Sequence, residues 1–534
     1  MDNKRTIYNL FQGIWNNEKI STSLIATTIF CLITHGYAYT HTTFFADRMG
    51  FFNQPSFGGA AAGRWFQQYV YLLFRSSYLP WLDGVLTILI LAFSVYLIVS
   101  ILNIKKKLSI WIIAGLCATN GSVIAAHMYW AYSILIALLF ACLSAYFWKR
   151  DDWKPVIRIA GAAGFLCLSF ATYGAYPSAG TSIVIIALII GLLENKDAKR
   201  SFVRGLEYII SFFLGAVIYY VILRIFLSVQ TIEVSSYMGE DVLTNGASLS
   251  ELLRCIGIAY ARTLQWFLGI EPPWRHLPVW CAVAIFVLGI VMFGILIKYR
   301  KERLREPGYA PMMLFLILVF PLSLGLIYVM SFNHVHYLML FSFVFLYIGF
   351  VKLAEMVYSL EAPKNIRING RKGAVSITII LLGYFVIRGI YVGNMTYVRA
   401  EQVSMETEHI AERLISRIED CEGFTGEETI VFVGDVYSSP YFSSYHNEEK
   451  YWLDILEGMG IGNKYYTNGY TYNGNMYPYL KKVMNVQLPM EQYDPDSFSQ
   501  LEKDQIGEML SFPTDGSIRK LGNRIIVKLN EVAE

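Results

Sequence analysis

Apolar residues in this chain come in long runs separated by short polar connections. Windows of ~19 residues pick out about eleven such runs, at 22–40, 82–102, 109–126, 129–148, 156–174, 178–194, 204–227, 278–298, 311–330, 336–356 and 375–394. Each is close to the ~20 residues that carry a helix across ~30 Å of hydrocarbon. Only helices leave no backbone group unpaired against lipid. The interiors are nearly free of charge, as a cost of about 2.5–3.5 kcal/mol for a central Lys, Arg or Asp requires. The pattern predicts an α-helical polytopic membrane protein. Three longer segments interrupt it: 41–81, 228–278 and the tail 395–534.

Charge gives the runs a direction. Lys and Arg gather at 4–5, 105–107, 149–150, 196–200, 298–305 and 364–372, whereas 119–122, 173–180 and 330–335 carry none. The basic segments are the amino terminus and every second connection after it. Basic loops stay in the cytoplasm, so the amino terminus is expected inside and, after about eleven spans, the carboxyl terminus outside. No small-residue cleavage site follows the first run, which reads as a retained anchor.

Composition narrows the class. Hydrophobic residues make up 55% and charged residues 16% of the chain, where soluble domains carry about 25% charge. One soluble core could not hide that much apolar surface, and a disordered chain is excluded. With 44 Lys and Arg against 41 Asp and Glu the net charge is +3, which argues against a nucleic-acid partner. The 7 Cys show no metal-ligand spacing and read as small apolar residues. No carboxylate cluster demands a cation, the sequence leaves any metal requirement open, and no organic cofactor is expected.

The segment 41–81 is rich in aromatics and Gly and is expected to be ordered, with short helices on the membrane surface. Within 228–278, Ser248 and Glu251 make a capping-box start for an amphipathic helix that ends near Gly269. Arg254 and Arg262 share one face of that helix, where they hold a phosphate or snorkel to lipid headgroups. The tail turns polar. It shows helical periodicity over 399–419, helix-like stretches at 477–483 and 505–510, and strand-like runs at 429–433 and 524–529. The expected layout is a membrane part, 1–394, followed by a small α/β domain outside the membrane, 395–534. The Tyr-, Asn- and Gly-rich stretch 437–477 suits a carbohydrate surface or an ordinary loop-rich one.

No P-loop, HExxH or GxSxG motif is present, and no internal repeat is visible. The acidic residue that stands out near the outer face is Asp47, next to Arg48 and upstream of Arg64 and Trp65. Taken alone, Asp47 reads as a solvated partner of Arg48. Glycosyl transfer from a lipid phosphate would use it differently. The acceptor hydroxyl must lose its proton as it attacks the anomeric carbon, and a carboxylate within reach can take it. Phosphate leaves without the second carboxylic acid that glycosidases need; it needs positive charge around it. Arg64, Arg254, Arg262, Arg275, His334, His336 and Arg388 are the candidates. His127, near the outer start of the fourth run, is a candidate because ionisable groups at membrane depth are costly. It also reads as a hydrogen-bonded packing residue.

The runs Gly63-Arg64-Trp65-Phe66 and Leu79-Pro80-Trp81-Leu82-Asp83-Gly84 resemble the bacterial Gtr-type glucosyltransferases, the serotype-converting O-antigen enzymes and their relatives. The resemblance continues in Tyr173-Gly174-Ala175-Tyr176, where the family pattern would carry Gln at Gly174, and in His336-Tyr337-Leu338-Met339-Leu340. It extends through 401–419 and Asp515-Gly516-Ser517 with the closing strand. It implies a GT-C-like enzyme that uses an undecaprenyl-phosphate sugar on the outer face of the bacterial plasma (inner) membrane. It also implies a catalytic carboxylate in the first outer loop, at Asp47, and two pathway partners, a polyprenyl-phosphate sugar synthase and a small flippase.

These readings converge on an inverting hexosyltransferase. Glucose is the expected sugar, and a cell-surface polysaccharide or its lipid-linked precursor the acceptor. Asp47 would be the base. Arg64, Arg254, Arg262, His334 and His336 would hold the donor phosphate, and Arg48, Trp65, His127, Tyr173 and Tyr176 would frame the substrates, with membrane lipid around them. Two rivals remain. A transporter or lipid flippase would place its substrate groups near the bilayer midplane, on broken helices. A non-catalytic envelope scaffold would use the tail as a glycan-binding module.

Overall fold

A computed structural model describes residues 16–42, 58–73, 79–194, 196–233, 248–270, 277–360, 370–434, 480–481, 483–491 and 493–530. They fall into two compact units, of which the first includes 80–394 and the second begins its main stretch at Met395. The first unit contains α1 (Glu18–Thr40), α2 (Gly58–Ala61), α3 (Gln67–Leu73), α4 (Pro80–Ile101), α5 (Lys107–Ala118), α6 (Gly121–Ala126), α7 (Ala131–Lys149) and α8 (Pro155–Thr172). It continues with α9 (Pro177–Leu193), α10 (Ala198–Gln230), α11 (Leu249–Leu268), α12 (Val279–Tyr299), α13 (Tyr309–Leu324), α14 (Leu326–Met330) and α15 (Val344–Tyr358). The helix α16 (Arg371–Glu419) supplies the last apolar stretch and runs on into the second unit.

Each apolar run is helical over most of its length. Among the described residues, 8 helices are long and apolar enough to cross a membrane, while α5, α9 and α13 are apolar but shorter. The structure corrects four boundaries. The run 109–126 is two helices, because Asn120 caps α6 by accepting a hydrogen bond from the Ser122 amide at 2.8 Å. The run 311–330 breaks at Gly325, just after Pro321 removes a helix donor. The run 336–356 opens with 3₁₀ turns, Tyr337–Met339 and Phe341–Phe343, before α15. The stretches 375–394 and 399–419 are one helix rather than two.

Local chemistry explains the other ends. Pro155 and Pro177 occupy first-turn positions, where a missing N–H costs nothing. Asp197 caps α10 by accepting from the Arg200 amide at 3.0 Å. The capping box of Ser248 and Glu251 forms as expected, and α11 ends on Gly269 at φ 62°. The Ser248 amide and hydroxyl hold the Glu251 carboxyl below its ordinary range.

In the core, α7 packs on α8 and α4, α1 on α4 and α5, α10 on α8, and α9 on α13. Small residues set the closest crossings. A Cβ at Gly180 would come within 2.8 Å of the Ala141 carbonyl, and one at Gly215 within 2.7 Å of the Ala163 carbonyl.

The helix ends joined by Lys- and Arg-rich connections are tied by buried ion pairs. Glu207 accepts from Arg158 at 2.6 Å and from Arg204 at 2.7 Å. Arg204 also donates to the Trp148 carbonyl. Lys352, only 2% exposed, reaches Glu194 at 3.2 Å and the Asn103 carbonyl at 3.0 Å. Glu355 accepts from the amides of Lys105 and Lys106 at 3.1 Å each, which stitches the α4–α5 connection to α15.

Among its described residues the second unit is built on a four-stranded sheet of β1 (Thr429–Val433), β2 (Met490–Glu491), β3 (Ile518–Leu521) and β4 (Arg524–Lys528), in the order β2-β1-β4-β3. β1 runs parallel to β2 and β4, and β3 antiparallel to β4. Alternation along the strands sorts the core into two faces. Ile430, Phe432, Ile525 and Val527 pack with Ile410, Leu414 and Ile418 of α16. Val431, Val433 and Ile526 pack with Phe498, Met509 and Ile506, the last from α17 (Gln500–Glu508). Glu428 is covered beside β1, where Lys520 at 2.5 Å and the Thr425 amide at 2.9 Å hold its carboxyl well below the usual range. The segment 437–477 and most of 477–483 lie outside the described residues.

Candidate active site

The Arg64–Trp65 turn is pinned from three sides. Gly63 takes a left-handed φ of 73°, and its carbonyl accepts from the Tyr219 hydroxyl at 3.1 Å. The Arg64 amide donates to the Gly59 carbonyl at 2.8 Å, and the Phe66 amide to the Ala171 carbonyl at 2.9 Å. Trp65 is buried among Ala60, Cys167, Ala171, Leu223 and Leu227, so its ring packs the turn onto α8 and α10. That anchoring leaves Arg64 half-buried, its guanidinium carbon 4.7 Å from the centroid of the Tyr173 ring.

Tyr173 follows α8 directly, and its ring lies 5.8 Å from that of Tyr176. Both are buried. Between them Gly174 faces open space, with no heavy atom within 4 Å of where a Cβ would stand. The Tyr176 hydroxyl donates to the Leu338 carbonyl at 3.4 Å, and the neighbouring Tyr337 carbonyl accepts from Ser122 of α6 at 2.8 Å. The Tyr173 group is thereby joined to the strip 336–338 and to the helix that ends at His127.

At His127 a second polar group begins. Its imidazole stacks on that of His35, centroids 4.1 Å apart and planes 13° apart. His127 Nδ1 lies 2.8 Å from the Val123 carbonyl, and His35 Nε2 lies 2.8 Å from the Ala118 carbonyl. A carbonyl only accepts, so each ring donates through that nitrogen. Tyr39 lies 5.5 Å from the His127 ring and packs against Gly84, where a Cβ would come within 2.5 Å of it. The residue before Gly84 is Asp83, a buried carboxylate in the first turn of α4. Asp83 is within electrostatic reach of the Tyr132 hydroxyl at the start of α7. Close by, α3 docks through Gln67, whose amide donates to Ser133 at 3.4 Å, and through Tyr71, whose ring lies 5.1 Å from Trp130.

The structure thus brings Arg64, Tyr173, Tyr176 and His127 into one connected set at the ends opposite the Lys- and Arg-rich connections. His334 and His336 are exposed in the turn before the 3₁₀ segment. Arg254 is exposed on α11, and Arg262 donates to Gln265 at 3.3 Å. Arg388 lies over the Tyr391 ring at 5.7 Å. Asp47, Arg48 and Arg275 lie outside the described residues. Among the described residues, no group of three His, Cys, Asp or Glu is placed to hold a metal ion.

His35, Tyr39 and Ser122 belong to the set, and Asp83 lies next to it in the chain at Gly84, although the residue pattern alone assigned none of them a role. For Asp83 and His35 a signal was available, because each is an ionisable side chain inside an otherwise apolar run.

A family model described as Glucosyl transferase GtrII matches residues 36–347, which takes in Tyr39, Arg64, Asp83, His127, Tyr173, Tyr176 and His336. No curated protein and no solved structure matches the chain significantly.

Proposed function

This chain belongs to the GtrII glucosyl transferase family and has the apolar helices of a multi-pass membrane protein, and on that premise we propose that it transfers glucose from an undecaprenyl-phosphate donor to a cell-surface polysaccharide or its lipid-linked precursor. Transfer takes place at the ends opposite the Lys- and Arg-rich connections. By the distribution of basic residues this is the outer face of a bacterial plasma membrane. A polyprenyl-phosphate sugar synthase and a small flippase supply the donor there.

Asp47 accepts the proton of the acceptor hydroxyl while that oxygen attacks the anomeric carbon. The bond to the phosphate oxygen breaks on the opposite side, so the anomeric centre inverts and undecaprenyl phosphate leaves. Arg64 meets the developing phosphate charge, joined by Arg254, Arg262, His334 and His336. Tyr173 and Tyr176 present ring faces to the sugar, with Arg48, Trp65 and His127 completing the surroundings. Asp83 adds a second carboxylate that orients the acceptor.

The observation that carries this reading is the connected set from Arg64 through Tyr173 and Tyr176 to His127, lying within the stretch that the family model covers. The test is Asp47→Asn, with membrane insertion checked separately. Loss of the base lowers transfer by about 10²–10⁴-fold. Unchanged transfer in Asp47→Asn with loss in Asp83→Asn would move the base to Asp83, and full transfer in both would sink the reading.

A further inference from the structure

The far side of the first unit carries a cleft between the ends of α7 and α9 and the start of α10. Its interior offers only about 20 Å³, so a group larger than water meets it at the mouth; Lys149, Asp151, Lys196, Arg200 and Arg204 line it, with Trp148 beside them, and Lys196 and Arg200 stay partly exposed. One carboxylate there serves three cations. Asp151 lies 3.3 Å from Arg200, 3.4 Å from Arg204 and 3.8 Å from Lys196. Lys149 adds a fourth positive charge and makes no ion pair among the described residues. The neighbouring carboxylates are engaged elsewhere: Glu194 reaches Lys352 at 3.2 Å, and Asp197 caps α10. Glu207 is shared by Arg204 and Arg158, and Asp152 is held by both forks of Arg150, at 2.6 and 2.8 Å.

An excess of positive charge on an open surface is ordinary. Here it lines a concavity whose wall includes two nearly covered side chains, Arg204 and Ser201, and such walls focus the field. Guanidinium forks with nearby ammonium groups fit a phosphate better than a carboxylate. Arg200, at the exposed rim, shares a helix edge with Val203, where the apolar surface of α10 begins. Along α10, Phe202, Val203, Leu206, Ile209, Ile210 and Phe213 are all exposed and apolar. A molecule with a phosphate at one end and hydrocarbon at the other satisfies both features, whereas a free phosphate satisfies only one.

We propose that the basic rim of this cleft, Lys196 and Arg200 foremost, binds the headgroup phosphate of an anionic phospholipid, whose acyl chains lie along the exposed face of α10. Basic pockets between membrane helices on the positively charged side recognise such headgroups.

The test uses the full chain in nanodiscs of phosphatidylcholine with and without phosphatidylglycerol. Native mass spectrometry reads retained lipid, and thermal denaturation reads protection. Phosphatidylglycerol is retained by the wild type and raises its denaturation midpoint. In the Lys196→Gln/Arg200→Gln double variant retention falls about 30-fold, at about fivefold for each lost cation. Lys149→Gln breaks no described ion pair, so it folds even if the double variant does not, and it loses about fivefold. Arg371→Gln/Lys372→Gln, which removes cations outside the cleft, retains lipid as the wild type does. Undiminished retention in the cleft variants would overturn the proposal. So would an equal loss in the control, or equal protection by inorganic phosphate in phosphatidylcholine alone.

Discussion

Polar side chains at the two ends of the membrane unit are held by different means. Beside the Lys- and Arg-rich connections, charge holds charge: Arg158 and Arg204 close on Glu207, and Lys352 bridges to Glu194. At the opposite ends, rings and carbonyls hold the polar groups. Arg64 lies on the face of Tyr173, and His35 and His127 stack on each other and donate to the ends of α5 and α6. The first arrangement spends its charge on fixing helix ends. The second orients a cation and two imidazoles through ring faces and carbonyls. Polarity inside a membrane protein therefore has two uses, which partner type separates better than burial does: Glu207 and Asp83 are both 8% exposed.

The comparison breaks most visibly at Glu207. Glu207→Gln leaves two buried guanidiniums with one neutral partner, and breaking a buried pair in this way costs about 3–5 kcal/mol. The denaturation midpoint and the folded yield fall together. Transfer per folded molecule stays at the wild-type level, because Glu207 lies at the other end from the candidate site. Replacing Arg158, Glu207 and Arg204 together by Met, Leu and Met recovers most of the lost stability, since an apolar set has no charge to strand. A large fall in transfer per folded molecule would show that the two ends are not separable.

Arg64 offers the converse. Arg64→Ala removes, among its contacts, the stacking on the Tyr173 ring, which by itself is worth about 0.5–2 kcal/mol to the fold. Transfer falls further, by about 100-fold, as expected for losing a group that meets developing charge. Arg64→Lys keeps the charge but not the planar stacking and recovers part of the activity. Equal losses of stability and transfer would make Arg64 a packing residue of the Gly63–Phe66 turn.

The contrast between the ends also explains what could be read in advance. Long apolar runs and the alternation of basic connections are properties of local sequence, so the helices and the face rich in Lys and Arg were visible there. The same holds for the capping box at Ser248 and for the strands at Thr429–Val433 and Arg524–Lys528, which carry their own periodicity. The break at Asn120 was readable in principle, since Asn inside an apolar run is a capping residue. The candidate site was legible only in pieces. Arg64, Tyr173, Tyr176 and His127 stood out by residue type, but nothing local says that His35 stacks on His127, 92 positions away in sequence. Nor does any local pattern reveal that Tyr176 reaches the carbonyl of Leu338. β2, only two residues long, is defined by its parallel partner β1 and has no period of its own.

The smallest effect sharpens the comparison most. Lys107 and Glu18 form an ion pair at 2.8 Å on the same basic face as the Glu207 network, yet their side chains are 66% and 62% exposed. Water already solvates both partners, and fixing two long side chains costs entropy, so such pairs contribute about 0–1 kcal/mol. Glu18→Gln should therefore leave the denaturation midpoint almost unmoved, and added salt should erase what shift there is. Glu207→Gln on the same face should resist salt, because its charges are shielded from solvent. If both variants shifted equally and both shifts vanished in salt, the basic end would owe its order to net charge alone. A large salt-insensitive shift for Glu207→Gln beside a negligible one for Glu18→Gln assigns that order to desolvated pairing.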